Sequence, residues 1–421
     1  MMYAFVLGRV FTLSLAELIE VLRGRNISFV LLAVSKEAAI IEVEESLDFE
    51  SLQKQLGGTI KIIKVIDVVK KRERDSINFA LQNYFKPSTL KKDYFKEYTG
   101  KKQFGVSVYT LHPSVNSLGE AKRLGMSIKK SLQTAKISLR AVLPEFNSSA
   151  LASVVVTKNA LLQKGAEICV FAGLEKVFVG KTLTVQDFED YGRRDYQRPV
   201  RDEKQGMIPP KVAQIMINFC GAAKGSTILD PFCGVGTILQ EAILLGYKTA
   251  GSDINPTAIL NSEKNLEWFR NRYKVAPGKY QVETADVKDI VVTFPQAKFE
   301  AIVSEGSLGP MYSYLPTEND MQASFEALKS LWLVAFTEFK KLLKPGARVV
   351  ICLPAYKTNL TDYKLFPSVD FITDLGYTIE DHFPEQVRKI VPYLRITPRN
   401  SMIYDRKDQV VAREIITFVN K

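Results

Sequence analysis

Apolar residues in the first 80 positions recur in two different patterns. Between residues 15 and 22 they have helical spacing, which predicts an amphipathic helix, and Ser14 with Glu17 predicts a capping box at its start. The apolar run at 29–34 and the largely apolar segment at 39–43 predict short β-strands. The pattern therefore indicates a small α/β module over residues 1–80.

Residues 81–184 continue this alternation and carry more charge. A basic amphipathic helix is predicted at 122–134, and strands are predicted at 136–143, 167–172 and 176–184. Helices and strands mixed in this way predict a second, α+β module.

Residues 185–210 are polar, basic and interrupted by proline, which is typical of a linker between domains. Beyond them a helix is predicted at 211–220, and strand-like runs then alternate with helical patterns to the last residue. Such alternation favours an α/β fold with a largely parallel sheet. We predict a Rossmann-like seven-stranded domain over residues 211–421, with strands at 227–229, 248–252, 282–285, 301–303, 348–353, 376–379 and 414–419.

A glycine turn follows the first of these strands. Asp230 ends the strand, Gly234 and Gly236 let a ligand approach the backbone, and the helix from Thr237 directs its amide groups towards an anion. Asp253 ends the second strand, where its two oxygens can accept both hydroxyls of a ribose. The arrangement predicts a nucleotide-containing ligand, and by itself it fits a nicotinamide dinucleotide as well as S-adenosylmethionine.

The residues around the turn favour S-adenosylmethionine. Asp-Pro-Phe-Cys-Gly-x-Gly-Thr at 230–237 and Gly-Ser-Asp-Ile-Asn-Pro at 251–256 resemble the methyltransferases that modify amino groups of nucleic acids. Leu239 stands where a dinucleotide fingerprint has its third glycine. Asp286 follows the third strand, a position that suits an acceptor for the adenine amine.

A longer match extends this resemblance. Arg-Pro-x-Arg-Asp from residue 198 and Gly-Met-Ile-Pro-Pro-Lys-Val-Ala-Gln-Ile-Met-Ile-Asn from residue 206 are similar to archaeal and eukaryotic tRNA guanosine-N2 methyltransferases that act at position 10. Residues 81–184 resemble the THUMP domain of tRNA-modifying enzymes. The resemblance implies tRNA as the partner and a cofactor wall that includes Met207, Ile208 and Pro209. The predicted cofactor-binding residues are Asp230, Phe232, Gly234, Gly236, Thr237, Asp253, Ile254, Asp286 and Pro209.

The methyl acceptor is expected at the end of the fourth strand, because ligands gather at the carboxyl ends of parallel strands. Amino-methyltransferases usually carry Asp/Asn-Pro-Pro-Tyr/Phe there, but this chain has Ser-Glu-Gly-Ser-Leu-Gly-Pro at 304–310. Glu305 can accept a hydrogen bond from an exocyclic amine, and Ser304 and Ser307 complete the predicted catalytic set. Leu308 replaces the usual ring, so Met311, Tyr312 or Tyr314 is expected to cover the base. The alternative is a solvent-facing Glu305 in an inactive loop.

The net charge of +11 is concentrated in the N-terminal half. Residues 51–150 hold 19 basic and 7 acidic residues, whereas residues 201–421 hold 27 and 25. A basic surface interleaved with aromatic rings is typical of nucleic-acid binding, although it also fits a merely solubilising surface. The interleaved rings are Phe85, Tyr94, Phe95, Tyr98, Phe104 and Tyr109. The predicted RNA-binding residues are Lys91, Lys92, Lys101, Lys102, Lys122, Arg123, Lys129, Lys130 and Arg140.

Other composition features narrow the choice of function. The four cysteines are widely spaced and the two histidines lie outside the motifs, so we expect no metal site and no disulfide framework. No run approaches the roughly 20 apolar residues of a membrane span, and a cytoplasmic location is expected. Eukaryotic relatives use a small zinc-binding activator subunit, which nothing in this sequence indicates.

These patterns predict an S-adenosylmethionine-dependent RNA methyltransferase that modifies a guanine N2 amine of tRNA. Methylation of another RNA or another atom is an alternative, and so is an RNA-binding protein whose methyl-donor fold has lost catalysis.

Overall fold

The protein is described by a computed structural model over residues 1–95, 102–201, 207–295, 298–359, 362–406 and 409–421. It divides into two compact units. The first comprises Met1–Leu18, Arg25–Phe188 and Glu385–Pro392, and the second comprises Ile19–Gly24, Glu189–Pro384 and Tyr393–Lys421.

The first unit contains an eight-stranded sheet within the described residues. Its strands are β1 (Met2–Leu7), β2 (Phe29–Val34), β3 (Ala38–Val43), β4 (Thr59–Lys70), β5 (Lys102–Thr110), β6 (Leu139–Val142), β7 (Gly165–Ala172) and β8 (Lys176–Val185). They lie in the order β2-β3-β1-β4-β8-β7-β5-β6. Because β4 pairs with β8, the strands of the two predicted N-terminal modules share one sheet.

Helices cover this sheet and complete the core of the unit. The helix Glu120–Thr134 lies between β5 and β6 in sequence and buries Leu124, Ile128 and Leu132. The polar centre of the unit is an ion pair in which Lys61 donates to Glu167 at 2.5 Å, both side chains being fully buried. Further helices are Phe49–Gln55, Ile77–Leu81, Pro87–Thr89, the π-helix Leu90–Tyr94, Ser153–Lys158, Leu161–Lys164 and Glu385–Ile390. The helix Phe11–Gly24 has residues in both units.

The second unit contains the predicted seven-stranded path, with two short strands added, in the described part of the chain. Its strands are β9 (Thr227–Asp230), β10 (Lys248–Asp253), β11 (Tyr280–Thr284), β12 (Phe299–Ser304), β13 (Leu343–Lys357), β14 (Tyr363–Leu365), β15 (Tyr377–Ile379), β16 (Met402–Tyr404) and β17 (Val411–Asn420). The path is β11-β10-β9-β12-β13-β17-β15, and β14 and β16 pair with β13 and β17. Strands β9 to β13 are parallel and β17 is antiparallel to β13.

The longest helix of this unit, Glu318–Leu342, supplies much of its core. Thr317 begins it with a capping box to Asp320, and Trp332, Phe336 and Phe339 are completely buried against the sheet. The remaining helices are Phe188–Tyr196, Pro210–Phe219, Thr237–Leu244, Pro256–Tyr273, the 3₁₀-helix Val287–Asp289, Ile290–Thr293 and Asp370–Thr373.

Two local predictions are wrong. The segment 185–210 is not simply a linker, because it contains the helix Phe188–Tyr196, whose Arg194 is buried in an ion pair with Glu241. Ser14 and Glu17 do not form a capping box either. The helix already begins at Phe11, and the Glu17 carboxylate instead accepts from the amides of Gly57 and Gly58 at 2.8 Å.

All four cysteines lie in the described part of the chain and are buried with free thiols. Among the described residues, no helix is both long and apolar enough to cross a membrane. The same residues contain no cluster of three or more side chains suited to hold a metal ion.

Candidate functional site

The first strand of the second unit ends in a buried carboxylate. Asp230 is 2% exposed, and its Oδ1 accepts from the Ser304 hydroxyl at 2.6 Å and from the Phe232 amide at 3.2 Å. Strand β9 lies between β10 and β12, where the strand order of the sheet reverses. Open parallel sheets bind ligands at this reversal, beyond the carboxyl ends of the strands. Asp230 therefore occupies the floor of a candidate ligand crevice.

The glycine turn beside Asp230 requires both of its glycines. Gly234 and Gly236 have φ of +51° and +83°, a region that other residues rarely adopt. A Cβ at Gly236 would lie 2.6 Å from the Ser262 hydroxyl, so packing also requires glycine there. A Cβ at Gly234 would have no atom within 4 Å. The turn thus leaves open space at Gly234 for a ligand to approach the backbone.

A second carboxylate closes the turn from the next strand. Asp253 ends β10, and its Oδ2 accepts from the Gly234 amide at 3.0 Å while its Oδ1 accepts from Asn255 at 2.9 Å. A carboxylate has about four acceptor sites, so each oxygen retains capacity for a further donor. The predicted role of Asp253 with a ribose stays a prediction that this geometry permits.

The other predicted cofactor residues lie on elements around the turn. Ile254 follows Asp253 and is 66% exposed, a large fraction for an apolar side chain. Asp286 caps the short helix Val287–Asp289 by accepting from Lys288 at 3.1 Å. Phe232 packs edge-on against Trp332, with ring centroids 5.4 Å apart, and Pro209 is the residue that precedes the helix Pro210–Phe219.

The electrostatics of the crevice centre on Asp230. Burial raises the pKa of its carboxyl from 3.8 to about 7, and the nearby carboxylates of Asp253 and Glu305 act in the same direction. The hydrogen bonds from Ser304 and from the Phe232 amide oppose that rise in pKa. A carboxylate in this environment gains from a nearby positive charge, which would relieve the cost of its ionisation.

The predicted catalytic residues have different environments. Ser304 is fully buried, and its hydroxyl bridges Asp230 and the Gly306 amide. Glu305 is half-buried, and its Oε1 accepts from Nε of Arg413, whose side chain is 2% exposed. Ser307 accepts from the Gly309 amide at 3.3 Å. Ser304 is therefore placed to hold the loop rather than to touch a substrate, whereas Glu305 lies at the surface of the site.

Two glycines hold the loop after β12 against the long helix. Gly306 and Gly309 have φ of +66° and +82°. A Cβ at Gly306 would lie 2.4 Å from the Trp332 ring, and a Cβ at Gly309 would lie 2.4 Å from the Ser324 hydroxyl. The loop lacks the two prolines of the usual motif, but close packing at these glycines fixes its course.

The three side chains expected to cover a base differ in exposure. Tyr312 packs edge-on against Tyr356 with centroids 6.0 Å apart. Tyr314 is 70% exposed and Met311 is 63% exposed. Tyr314 is therefore the aromatic ring in this segment with the most surface for a ligand.

The basic residues of the first unit lie mostly at its surface. Lys122, Arg123 and Lys130 project from the exposed side of the helix Glu120–Thr134. Lys91 and Lys92 lie on the π-helix Leu90–Tyr94, Arg140 lies on the edge strand β6, Lys129 is half-buried, and Lys102 begins β5. Lys101 lies outside the described residues.

The prediction of aromatic rings interleaved at this surface is wrong for the described residues. Phe85, Tyr94, Phe95, Phe104 and Tyr109 are all buried in the core, and Tyr98 lies outside the described part of the chain. Phe104 and Tyr109 lie on β5, whose residues 104–109 are all buried, so proximity to lysines in sequence does not bring these rings to the surface. Phe146, which is 94% exposed, was not predicted.

Two buried arginines were also missed. Arg413 is a charged residue within the apolar strand β17, a pattern that signals a buried partner without identifying it. Arg198 donates to the Thr237 hydroxyl at 2.6 Å, 39 positions further along the chain. Nothing in the sequence connects either arginine with its partner.

Comparison with known proteins agrees with this geometry. Residues 198–368 match the family model UPF0020, described as RMKL-like, methyltransferase domain. The chain is 33% identical over 223 residues to a tRNA (guanine(10)-N2)-dimethyltransferase of Pyrococcus abyssi, covering 50% of this chain and 57% of the relative. A protein of the same name from Methanocaldococcus jannaschii is 28% identical, covering 58% of this chain and 63% of the relative. The chain thus matches less than two thirds of the length of these relatives.

Solved structures share the fold over the whole chain. TrmN from Thermus thermophilus covers 100% of both chains with a TM-score of 0.56 and 14% identity. A possible methylase from Clostridium difficile covers 99% of this chain and 98% of its own, with a TM-score of 0.53 and 13% identity. The predicted methyltransferase fold and the predicted resemblance to guanosine-N2 methyltransferases are confirmed, whereas the THUMP resemblance stays a prediction.

Proposed function

We propose that this protein is an S-adenosylmethionine-dependent methyltransferase that modifies the exocyclic N2 amine of a guanosine in tRNA. The observation that carries the proposal is the crevice at the strand reversal, where Asp230 and Asp253 flank a glycine turn that leaves open space. The names of its relatives supply the acceptor atom and the class of RNA.

The residues of the crevice fit the proposed cofactor. The open space at Gly234 admits a ligand to the backbone, and Asp253 has acceptor capacity for two ribose hydroxyls. Asp230 supplies a buried negative charge for the cationic methionine portion, and Thr237 begins a helix whose amides favour the carboxylate. Ile254, Asp286, Phe232 and Pro209 are assigned to the adenine side and the walls. When bound, this cofactor supplies an electrophilic methyl carbon.

Glu305 is the proposed acceptor for the guanine amine. The lone pair of such an amine is delocalised into the ring, so a hydrogen bond to a carboxylate increases its nucleophilicity. Arg413 contacts Oε1 of Glu305 and holds the carboxylate at the end of β12. Most of the rate then comes from alignment of amine and methyl group, an effect of up to roughly 7–11 kcal/mol in favourable cases.

Ser304 and Tyr314 complete the proposed acceptor site in different ways. Ser304 is completely buried, so its proposed part is to fix Asp230 relative to the loop. Tyr314 is the exposed ring that would stack on the base, since Leu308 replaces the usual aromatic residue. Ser307 is assigned a polar contact with the substrate. A base paired within tRNA would have to leave its stack to reach this site.

The basic surface of the first unit is the proposed tRNA-holding region. Residues 81–184 are assigned as a THUMP-like domain, residues 1–80 as its companion and residues 211–421 as the methyltransferase domain. Lysines and arginines on the helix Glu120–Thr134 and the edge strand β6 would contact phosphates, and affinity would therefore fall with added salt. Membrane, metal and an activator subunit have no part in the proposal, and a cytoplasmic location goes with the tRNA substrate.

Methyl transfer to tRNA tests the proposal directly. The protein is incubated with labelled S-adenosylmethionine and unmodified tRNA, and the digested nucleosides are identified by mass spectrometry. The expected product is N2-methylguanosine or its dimethyl form. Label in another nucleoside would replace the proposed acceptor with another atom or RNA.

A second candidate function is RNA binding without catalysis. It is favoured by the replacement of Asp-Pro-Pro-Tyr with Ser-Glu-Gly-Ser and by the ion pair that engages Glu305. Cofactor binding with no labelled nucleoside, on tRNA from several sources, would support this second function and reject the first.

A further inference from the structure

A buried arginine of the second unit contacts the proposed acceptor residue. The Arg413 side chain is 2% exposed, and its Nε donates to Oε1 of Glu305. Its Nη1 donates to Oε1 of Gln409 at 3.1 Å. Burial acts to lower the pKa of Arg413, but the Glu305 carboxylate raises that pKa above its ordinary value. The guanidinium is therefore a permanent positive charge beside Glu305.

The backbone around Arg413 gives that charge a fixed position. Arg413 lies on β17, where it pairs in register with Pro354 of β13 and with Tyr404 of β16. The next residue, Glu414, is fully buried and accepts from Arg399 at 2.7 Å. Because successive residues of a strand point to opposite faces, Arg413 is directed towards the loop after β12 and Glu414 away from it.

The contact with Arg413 leaves part of the Glu305 carboxylate open. Oε1 accepts from Arg413, whereas Oε2 has no hydrogen-bond partner among the residues that the structure describes. The side chain is 18% exposed, so a substrate can reach it. Packing of the next residue, Gly306, against Trp332 fixes the backbone from which Glu305 projects. Glu305 therefore offers one free oxygen, and a remaining acceptor site on the other, in a defined orientation.

A carboxylate selects among bases by the hydrogen-bonding groups on their edges, because it accepts hydrogen bonds and donates none. Guanine has two adjacent donors, the N1–H and the N2 amine. Adenine and cytosine each place a ring-nitrogen lone pair beside the exocyclic amine, and that lone pair would face a negatively charged oxygen. A base that has left its stack is read along this edge. An anion at Glu305 therefore matches guanine and repels the other two amino bases.

We propose that Arg413 determines the base specificity of the acceptor site by holding Glu305 so that its two oxygens accept from N1–H and N2 of guanine together. Arg413 is a positioning residue, and Glu305 is the residue that touches the base. The inference rests on the proposed function and adds to it the reason for the choice of guanine. It assigns a role in recognition to N1–H, an atom pair that takes no part in the methyl transfer itself.

An analogue that keeps the amine and loses the N1 proton provides the test. 2-Aminopurine has the same N2 amine as guanine, but its N1 carries a lone pair. Two tRNAs, with guanosine or 2-aminopurine at the nucleotide that the methyl-transfer experiment identifies, compete for the full-length protein and labelled S-adenosylmethionine. The ratio of labelled products gives the ratio of the two kcat/KM values. Because both substrates meet the same sample, the folded fraction of the protein cancels from this ratio.

Four variants separate contact, position and stability. Glu305→Gln offers one acceptor and one donor, which complement the amine and the N1 lone pair of 2-aminopurine. Arg413→Lys keeps a positive charge beside Glu305, whereas Arg413→Gln removes it. Arg399→Gln is the matched control, because it removes a largely buried arginine that pairs with Glu414 on the same strand.

The expected effects are changes in the preference for guanosine. The unmodified protein should prefer guanosine about 100-fold, as for loss of one hydrogen bond to a charged group. Glu305→Gln should abolish or reverse this preference. Arg413→Gln should reduce it about tenfold, because the carboxylate is then free to rotate, and Arg413→Lys should keep it within about threefold. Arg399→Gln should leave the ratio unchanged even where it lowers the melting temperature.

Three other results would overturn the inference. A ratio near one in the unmodified protein would show that N1–H is not read. A strong preference that Glu305→Gln leaves unchanged would assign recognition to another group, such as one that contacts O6. An unchanged ratio in Arg413→Gln would limit Arg413 to a structural role. Failure of the proposed function looks different, because guanosine would then receive no label, which would reject this inference with it.

Discussion

The cofactor crevice and the acceptor loop lie at the ends of neighbouring strands, yet they are built in different ways. The crevice comes from contiguous sequence, in which strand, glycine turn, helix and strand bring Asp230, Gly234 and Asp253 together within 24 residues. The loop after β12 depends on partners far along the chain, namely Trp332 on the long helix and Arg413 on β17. Local motifs therefore identify the proposed cofactor site, whereas contacts between distant parts of the chain determine the structure of the proposed acceptor loop.

The sharpest test of this difference is Glu305→Gln. The change removes the charge that is proposed to accept from the guanine amine, so methyl transfer in a single turnover should fall about 100- to 1000-fold, as for loss of one preorganised polar group. Cofactor affinity, which the crevice determines, should change by less than about twofold. Because Arg413 loses its ion pair with Glu305, thermal unfolding must be measured alongside.

Glu300→Gln is the matched control for that variant. Glu300 is a carboxylate at the opposite end of β12, where it pairs with Lys344 at 2.7 Å. Its loss should leave turnover unchanged. Equal turnover in Glu305→Gln and the unmodified protein would remove Glu305 from the acceptor site.

Asp253→Ala tests the crevice, where the expected loss is in the affinity for the cofactor. Loss of the two charge-assisted hydrogen bonds proposed between Asp253 and the ribose should weaken the binding of S-adenosylhomocysteine about 100-fold or more. The affinity for tRNA, measured by filter binding at fixed salt, should stay the same. Unchanged cofactor affinity in calorimetry would show that the ribose assignment is wrong.

The pH dependence of cofactor binding tests the charge of Asp230. Its pKa of about 7 in the folded protein means that the carboxylate is largely ionised at pH 8 and largely protonated at pH 6. A sulfonium prefers the ionised form, so affinity for S-adenosylmethionine should fall up to about tenfold from pH 8 to pH 6. Asp230→Asn should flatten this dependence, and an equally steep profile in that variant would assign the titration to another group.

The same carboxyl has a predictable effect on stability. Its folded-state pKa lies above its ordinary value, so the folded protein binds the proton more tightly than the unfolded chain between about pH 4 and 7. The contribution of Asp230 to stability is therefore greatest below pH 4 and is lost as pH rises to 7. In Asp230→Asn, the free energy of unfolding measured by chemical unfolding should not contain this decrease between about pH 4 and 7.

Gly306→Ala probes the packing of the loop with the smallest expected effect. The left-handed backbone alone costs about 1–2 kcal/mol with a Cβ, and contact with the Trp332 ring adds to it. Gly278→Ala is the control, because Gly278 has φ of +73° and open space at its Cβ. Gly306→Ala should lower the melting temperature more than Gly278→Ala does. Equal changes in melting temperature would mean that the loop accommodates the added methyl group beside Trp332 without further cost.

The sequence was most informative where structure follows from neighbouring residues. The seven strands and the glycine turn were predictable because apolar runs and φ-permissive residues act locally. The segment 185–210 was misread because its charges suggested solvent, whereas Arg194 is buried by an ion pair with Glu241. Sequence alone gives no means to pair residues 47 positions apart.

The aromatic residues of the first unit illustrate a second limit. Phe104 and Tyr109 lie on β5, whose residues 104–109 are all buried, so both faces of this strand belong to the core. Because these rings were grouped with the lysines that are near them in sequence, core residues were predicted to lie at a surface. Phe146 lies in a segment without periodicity, and no pattern distinguished its exposed ring.

The buried thiols have a practical consequence. Cys169 lies in the first unit, whereas Cys220, Cys233 and Cys352 lie in the second, and all are shielded from solvent. An alkylating reagent can therefore modify a given thiol only when the surrounding structure opens. Mass-resolved labelling of the native protein would follow the opening of each unit separately, without any engineered probe.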